Sequence, residues 1–77
     1  MKKVQLKIVT PLGTRYCEEI EQTEEEINEL EKHIGDITEA ISEGKLEKLS
    51  LTLEGGNEIF LPLQLLQKSY IEIRKIN

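Results

Sequence analysis

Residues 18–43, EEIEQTEEEINELEKHIGDITEAISE, hold eleven acidic side chains against a single basic one, Lys32. Within them Ile27, Leu30, Ile34, Ile37 and Ile41 recur at spacings of three, four, three and four. That period places the five on one stripe of an α-helix and leaves the acids on the opposite face. Thr23 followed by Glu26 is a capping box, in which each side chain satisfies a backbone N–H of the first turn. Glu24, Glu25 and Glu26 sit where the positive end of the helix dipole favours them, and Gly44 after Glu43 is a stop signal. The apolar phase runs through Gly35 without slipping, which favours one continuous helix. A competing reading ends the helix at Gly35 and caps a second at Asp36-Ile37-Thr38-Glu39.

The flanks change period. Val4, Leu6 and Ile8 alternate with Lys3, Gln5 and Lys7, a half-buried strand with the polar trio on its solvated face. Thr10-Pro11-Leu12-Gly13 reads as a turn. Arg15–Ile20 reads as the returning strand, with Tyr16 and Ile20 on one side and Cys17 on the other. Leu49, Leu51 and Leu53 alternate with Lys48, Ser50 and Thr52. Gly55-Gly56-Asn57 then predicts a tight turn with positive φ angles, and residues 58–61 return with Ile59 and Leu61 opposite Phe60. Pro62 suits the first turn of a short helix over residues 62–67. Residues 69–76 form a last strand, with Ile71 and Ile73 inward and Tyr70, Glu72 and Arg74 outward. The predicted fold class is therefore α+β. A small antiparallel sheet, with elements in the order β-β-α-β-β-short helical turn-β, carries one long amphipathic acidic helix packed on one face.

Seventy-seven residues make one domain, and a chain of this size buries only about 60% of its unfolded surface. Formal charge is −5 overall. Residues 1–17 carry +4, residues 18–43 carry −10 and residues 44–77 carry +1. That acidic balance argues against direct nucleic-acid binding, since phosphate contacts need a basic field. Cys17 is the one cysteine, so no intramolecular disulfide forms. The start Met1-Lys2-Lys3 leads into an alternating strand rather than a secretory signal, and no apolar run approaches membrane-spanning length. The expectation is a cytoplasmic protein.

No residue pattern points to catalysis, a cofactor or a metal. His33 is the one histidine, and a Cys17–His33 pair would have to be drawn together from a strand and a helix. A triad of His33 with Asp36 and Ser42, Ser50 or Ser69 has no supporting spacing. The carboxylate runs at Glu18/Glu19 and Glu24/Glu25/Glu26 lack the contrasting environments that acid–base work requires. Lys2, Lys3 and Lys7 lie near Arg74 and Lys75 if the first and last strands are neighbours, and there the protection of an exposed sheet edge by lysine is the simpler use. The seam packs on the chain's own sheet or zips to a second copy. A second apolar face built from Phe60, Cys17 or residues 62–67 would also favour an oligomer.

Two segments, "VTPLG" leading by a strand into "TEEE", and "LTLEGGNEIFLPLQLLQKSYIEI", together resemble small proteins encoded by bacteriophages and prophages of Gram-positive bacteria. The resemblance implies a mobile-element protein that blocks a host or defence protein in the host cytoplasm, or serves the virion. The candidate partner-binding residues are Glu24, Glu25, Glu29, Glu31, Glu39 and Glu43, a row that imitates the charge of nucleic acid. The alternatives are an accessory module acting through homo-oligomerisation, and a protein sequestering a small anionic ligand on Lys3, Lys7, Arg15 or Arg74.

Overall fold

Val4 and Ile8 have no exposed surface, and the strand that carries them is the hub of the fold. A computed structural model describes residues 1–76. Strand β1 (Lys2–Thr10) is paired along both edges. On one side lies β6 (Tyr70–Lys75); on the other lie β2 (Gly13–Tyr16) against its C-terminal half and β3 (Ile20–Gln22) against its N-terminal half, all antiparallel. The alternation of β1 then sorts the side chains. Val4, Leu6 and Ile8 face the same way as Ile71 and Ile73, and Gln5 and Lys7 stand beside Arg74 and Glu72 on the other face.

The expected strand over Arg15–Ile20 is in fact two. Tyr16 pairs with Lys7 and Ile20 with Val4, so three residues of the returning chain oppose two of β1. This is a β-bulge at residues 17–19, and its extra residue reverses the alternation. Tyr16 goes to the outer face while Cys17 and Ile20 go to the inner one, correcting the expected grouping of Tyr16 with Ile20. Cys17 still donates its N–H to Leu6 O at 3.0 Å, and it also bridges to Leu53. That bridge ties the four-stranded sheet to a separate hairpin, β4 (Lys48–Thr52) with β5 (Glu58–Pro62). A 3₁₀ turn at Glu54–Gly56 joins its strands. Both glycines take positive φ, 81° and 83°, whereas Asn57 is extended at φ −73° and needs no left-handed tolerance.

The inner layer is where these pieces meet. Ile8, Cys17, Leu53, Leu61 and Leu66 form the buried cluster, with Leu6, Ile41, Leu49, Leu51, Ile59, Leu65 and Ile71 packed around it. Leu66 comes from the single-turn helix α2 (Leu63–Leu66), which is shorter than the expected 62–67 because Pro62 ends β5 and serves as the N-cap. Cys17 and α2 therefore build the core rather than a second apolar face, while Phe60 on the other side of the hairpin is 58% exposed.

Helix α1 runs unbroken from Glu24 to Ser42. The capping box is formed, Glu26 N donating to Thr23 Oγ1 at 3.2 Å and Thr23 N to Glu26 Oε1 at 2.9 Å. At the far end Lys45 N reaches Ala40 O at 2.8 Å and Gly44 N reaches Ile41 O at 3.1 Å. This is the Schellman closure, made possible by Gly44 at φ 73°. The seam faces β3, β6 and the core, but only Ile27 is buried; Leu30, Ile34, Ile37 and Ile41 are half-buried. The helix is thus held along a narrow line and stands proud of the sheet.

A Cβ at Gly35 would meet nothing within 4 Å, so the glycine serves no close approach and only weakens a continuous helix. Gly35→Ala is expected to stabilise the chain by about 1 kcal/mol, raising Tm by roughly 4–8 °C for a domain of this size. Thermal melts followed by far-UV circular dichroism measure it. An unchanged or lower Tm contradicts the unbroken helix.

Candidate functional site

The helix turns three kinds of acid in three directions, and charge partners tell them apart. Glu24 and Glu31 lie on the flank nearest the sheet: the Lys2 Nζ donates to Glu24 Oε1, and Lys75 Nζ lies 3.9 Å from Glu31 Oε1. Glu26 is used in the cap. Glu43, at the C-cap, pairs with Lys45 at 2.7 Å. Glu25, Glu29 and Glu39 are exposed on the outward face, with Asp36 and Lys32 between them, and among the described residues none of the three glutamates has an ion pair or side-chain hydrogen bond. From Glu25 to Glu43 the row extends about 27 Å at roughly 1.5 Å per residue. Of the six glutamates read from the sequence, the fold therefore leaves Glu25, Glu29 and Glu39 free and sets Glu24, Glu31 and Glu43 against lysines.

The hydrogen bond from Lys2, followed by its Coulomb attraction, holds the Glu24 carboxyl below the usual glutamate range. A group with a lowered folded-state pKa contributes stability that is present above its unfolded value and is lost as pH falls through the folded value. Glu24 is fully exposed, so solvent screens the pair. Carbon-detected NMR titration of the Glu24 carboxyl should show its midpoint move to higher pH in Lys2→Met; an unmoved midpoint would contradict the pairing.

The basic residues do not converge as a ligand site. Lys7 lies 4.0 Å from Glu72. Arg74 donates to Gln5 Oε1 at 3.3 Å and sits 5.5 Å over the Tyr16 ring. Arg15 pairs in register with Ile8, on the opposite face from Lys7, Tyr16 and Arg74. Because β1 is the central strand, its lysines do not guard a sheet edge. Lys2 serves as counter-ion to the helix and Lys7 to β6.

Gln5 overturns the expectation of a solvated polar face. It is 2% exposed, its Nε2 donating to Cys17 O at 2.9 Å and to Glu54 Oε1 at 2.7 Å. With Arg74 on its Oε1, the amide joins three segments that are distant in sequence. The tip of the β4–β5 hairpin, entering through Glu54, is what covers it. No local signal marks Gln5 in the sequence, since its burial depends on the docking of residues 49 positions away.

Cys17 lies in the core cluster, and burial pushes its thiol pKa up, so little nucleophilic thiolate forms near neutral pH. His33 is exposed on the helix, outside that cluster. Among the described residues no three His, Cys, Asp or Glu side chains converge as metal ligands, and no helix is long and apolar enough to cross a membrane. No protein-family model, curated protein or solved structure matches the chain.

Gln5→Leu strands the Cys17 carbonyl in the interior and removes the partner of Arg74 and Glu54. It is expected to cost about 1–3 kcal/mol, read as a lowered urea midpoint. A wild-type midpoint would show that the amide node holds nothing together.

Proposed function

We propose that this chain is a non-catalytic binding protein that docks the outward face of α1 into a basic groove of a partner protein and blocks it. The observation that supports the reading is the division of labour among the helix acids. The sheet lysines engage the flanking glutamates, and Glu25, Glu29 and Glu39 keep their full field toward solvent. A row of carboxylates on a rigid, capped rod needs no ordering when it binds, and it competes with a nucleic-acid strand for the same cations. The likeness of the turns and caps to phage and prophage proteins suggests the kind of target, a host or defence protein met in the host cytoplasm.

The chemistry of such a contact is electrostatic, so association is fast at low salt and weakens as the Debye length shrinks. The test compares tagged wild type with the triple variant Glu25→Gln, Glu29→Gln, Glu39→Gln on lysate of a Gram-positive host. The expected result is a basic protein retained by the wild type, released between about 0.1 and 0.5 M salt, and retained at least tenfold less by the variant. Equal retention by the two overturns the proposal.

A second reading, an accessory module acting through its own oligomer, is favoured by one observation. Four of the five seam residues are only half-buried, and Leu12, Phe60 and Tyr70 are exposed. Sedimentation at low micromolar concentration separates the two, since the first reading expects a monomer. Sequestration of a small anion is the least supported, because Lys7 and Arg74 are engaged within the chain and Arg15 lies on the other face.

A further inference from the structure

Strand β5 pairs with β4 on one edge, and among the described residues no strand pairs with the other. Leu53 N donates to Asn57 O at 2.6 Å, so in this register Leu51 with Ile59, and Leu49 with Leu61, exchange the ladder hydrogen bonds. The N–H and C=O of Glu58 and Phe60 therefore point away from β4, toward the free edge. Pro62 sits at the end of that edge, where it offers a carbonyl and no donor. The open ladder is thus short, covering residues 58–61.

That edge does not face open water. A groove of about 230 Å³ lies beside it, lined also by Thr10, Leu12 and Arg15 of the β1–β2 hairpin and by Leu65. Ile59 and Phe60 both line it. Because their side chains leave the strand in opposite directions, the groove follows the edge of the strand and not one of its faces. Leu12 at 86% and Phe60 at 58% exposed stand at its rims. The turn that presents Leu12 is fixed by Thr10, whose hydroxyl accepts from Leu12 N at 3.1 Å and donates to Gly13 O at 2.9 Å. Arg15 is the one charged side chain in the lining, and among the described residues it has no acidic partner.

We propose that this groove binds an extended peptide segment that adds a strand to the free edge of β5, sets an apolar side chain between Leu12 and Phe60, and places a carboxylate on Arg15. Backbone pairing gives the affinity, and the apolar slot and lone cation give the choice of sequence. The charge of the lining selects the occupant. A second copy fits less well: antiparallel pairing of β5 with itself about Phe60 sets Glu58 opposite Pro62, whose missing N–H leaves the Glu58 carbonyl unpaired. The site is independent of the helix face and goes beyond the function proposed above.

The test uses the full chain labelled with ¹⁵N and an acetylated, amidated seven-residue peptide of alternating threonine and valine with one central glutamate. Two control peptides carry lysine for the glutamate, or proline for the valine next to it. The expected result is saturable shifts centred on the amides of Glu58, Phe60 and residues 12–15. The glutamate peptide should bind roughly three- to fivefold more tightly than its lysine twin, and the proline peptide at least about tenfold more weakly. Arg15→Glu should invert the charge preference and Arg15→Gln should erase it. The triple glutamine variant of the helix should bind the peptide unchanged, so failure here is distinct from failure of the helix reading. Absent or scattered shifts, a charge preference indifferent to Arg15, or the same amides moving as the unliganded chain is concentrated, which marks self-pairing, each overturns the proposal.

Discussion

Everything in this molecule depends on β1 being bonded along both edges while its two faces serve different layers. Inward, Val4, Leu6 and Ile8 meet the helix, the β4–β5 hairpin and α2. Outward, Gln5 and Lys7 meet Arg74, Glu72 and the hairpin tip. A chain this short gains little from area alone, so the arrangement draws on both faces of its central strand. The β1–β2 register turns Cys17 into the core and Tyr16 under Arg74, and the bulge at residues 17–19 then brings Ile20 to the inner face. The Cys17–Leu53 bridge anchors the second hairpin.

Charge follows from the same geometry. The cations of the first strand and the last are adjacent because β1 and β6 pair. They lie beside the N-terminal half of α1 and take up Glu24 and Glu31 there. What remains on the helix is a row of carboxylates with only Lys32 among them. The negative surface is thus what is left after the sheet has neutralised the glutamates within its reach. Segregation of this kind makes a surface available for binding, because no internal pair has to be broken first.

The long helix, its cap and its stop at Gly44 were legible from residues 18–44, and the α+β class from these with the alternating flanks, because capping and hydrophobic period are local effects. The β4–β5 hairpin was legible for the same reason, with Gly55 and Gly56 marking the turn. The bulge was not, since nothing local in Arg15–Ile20 announces that Ile20 pairs with Val4 one residue out of the register that Tyr16 keeps with Lys7. Gln5 was misread because its cover arrives from residue 54. The groove beside β5 was invisible too: Leu12, Arg15 and Phe60 are unremarkable singly, and their proximity is a product of tertiary packing. For the helix face, the sequence located all six glutamates, but the separation of free ones from paired ones required knowing where Lys2 and Lys75 lie.

The central claim is that α1 is one rigid rod clamped to the sheet along its whole seam, so that its outward acids form a single fixed row. Native-state hydrogen exchange resolved by residue tests this most directly. The account predicts that amides on both sides of Gly35, from Leu30 to Ile41, exchange through the same opening and with the same urea dependence as Leu6 and Ile8 of β1. Protection that collapses beyond Gly35, with residues 36–42 exchanging independently of the strand, would contradict it.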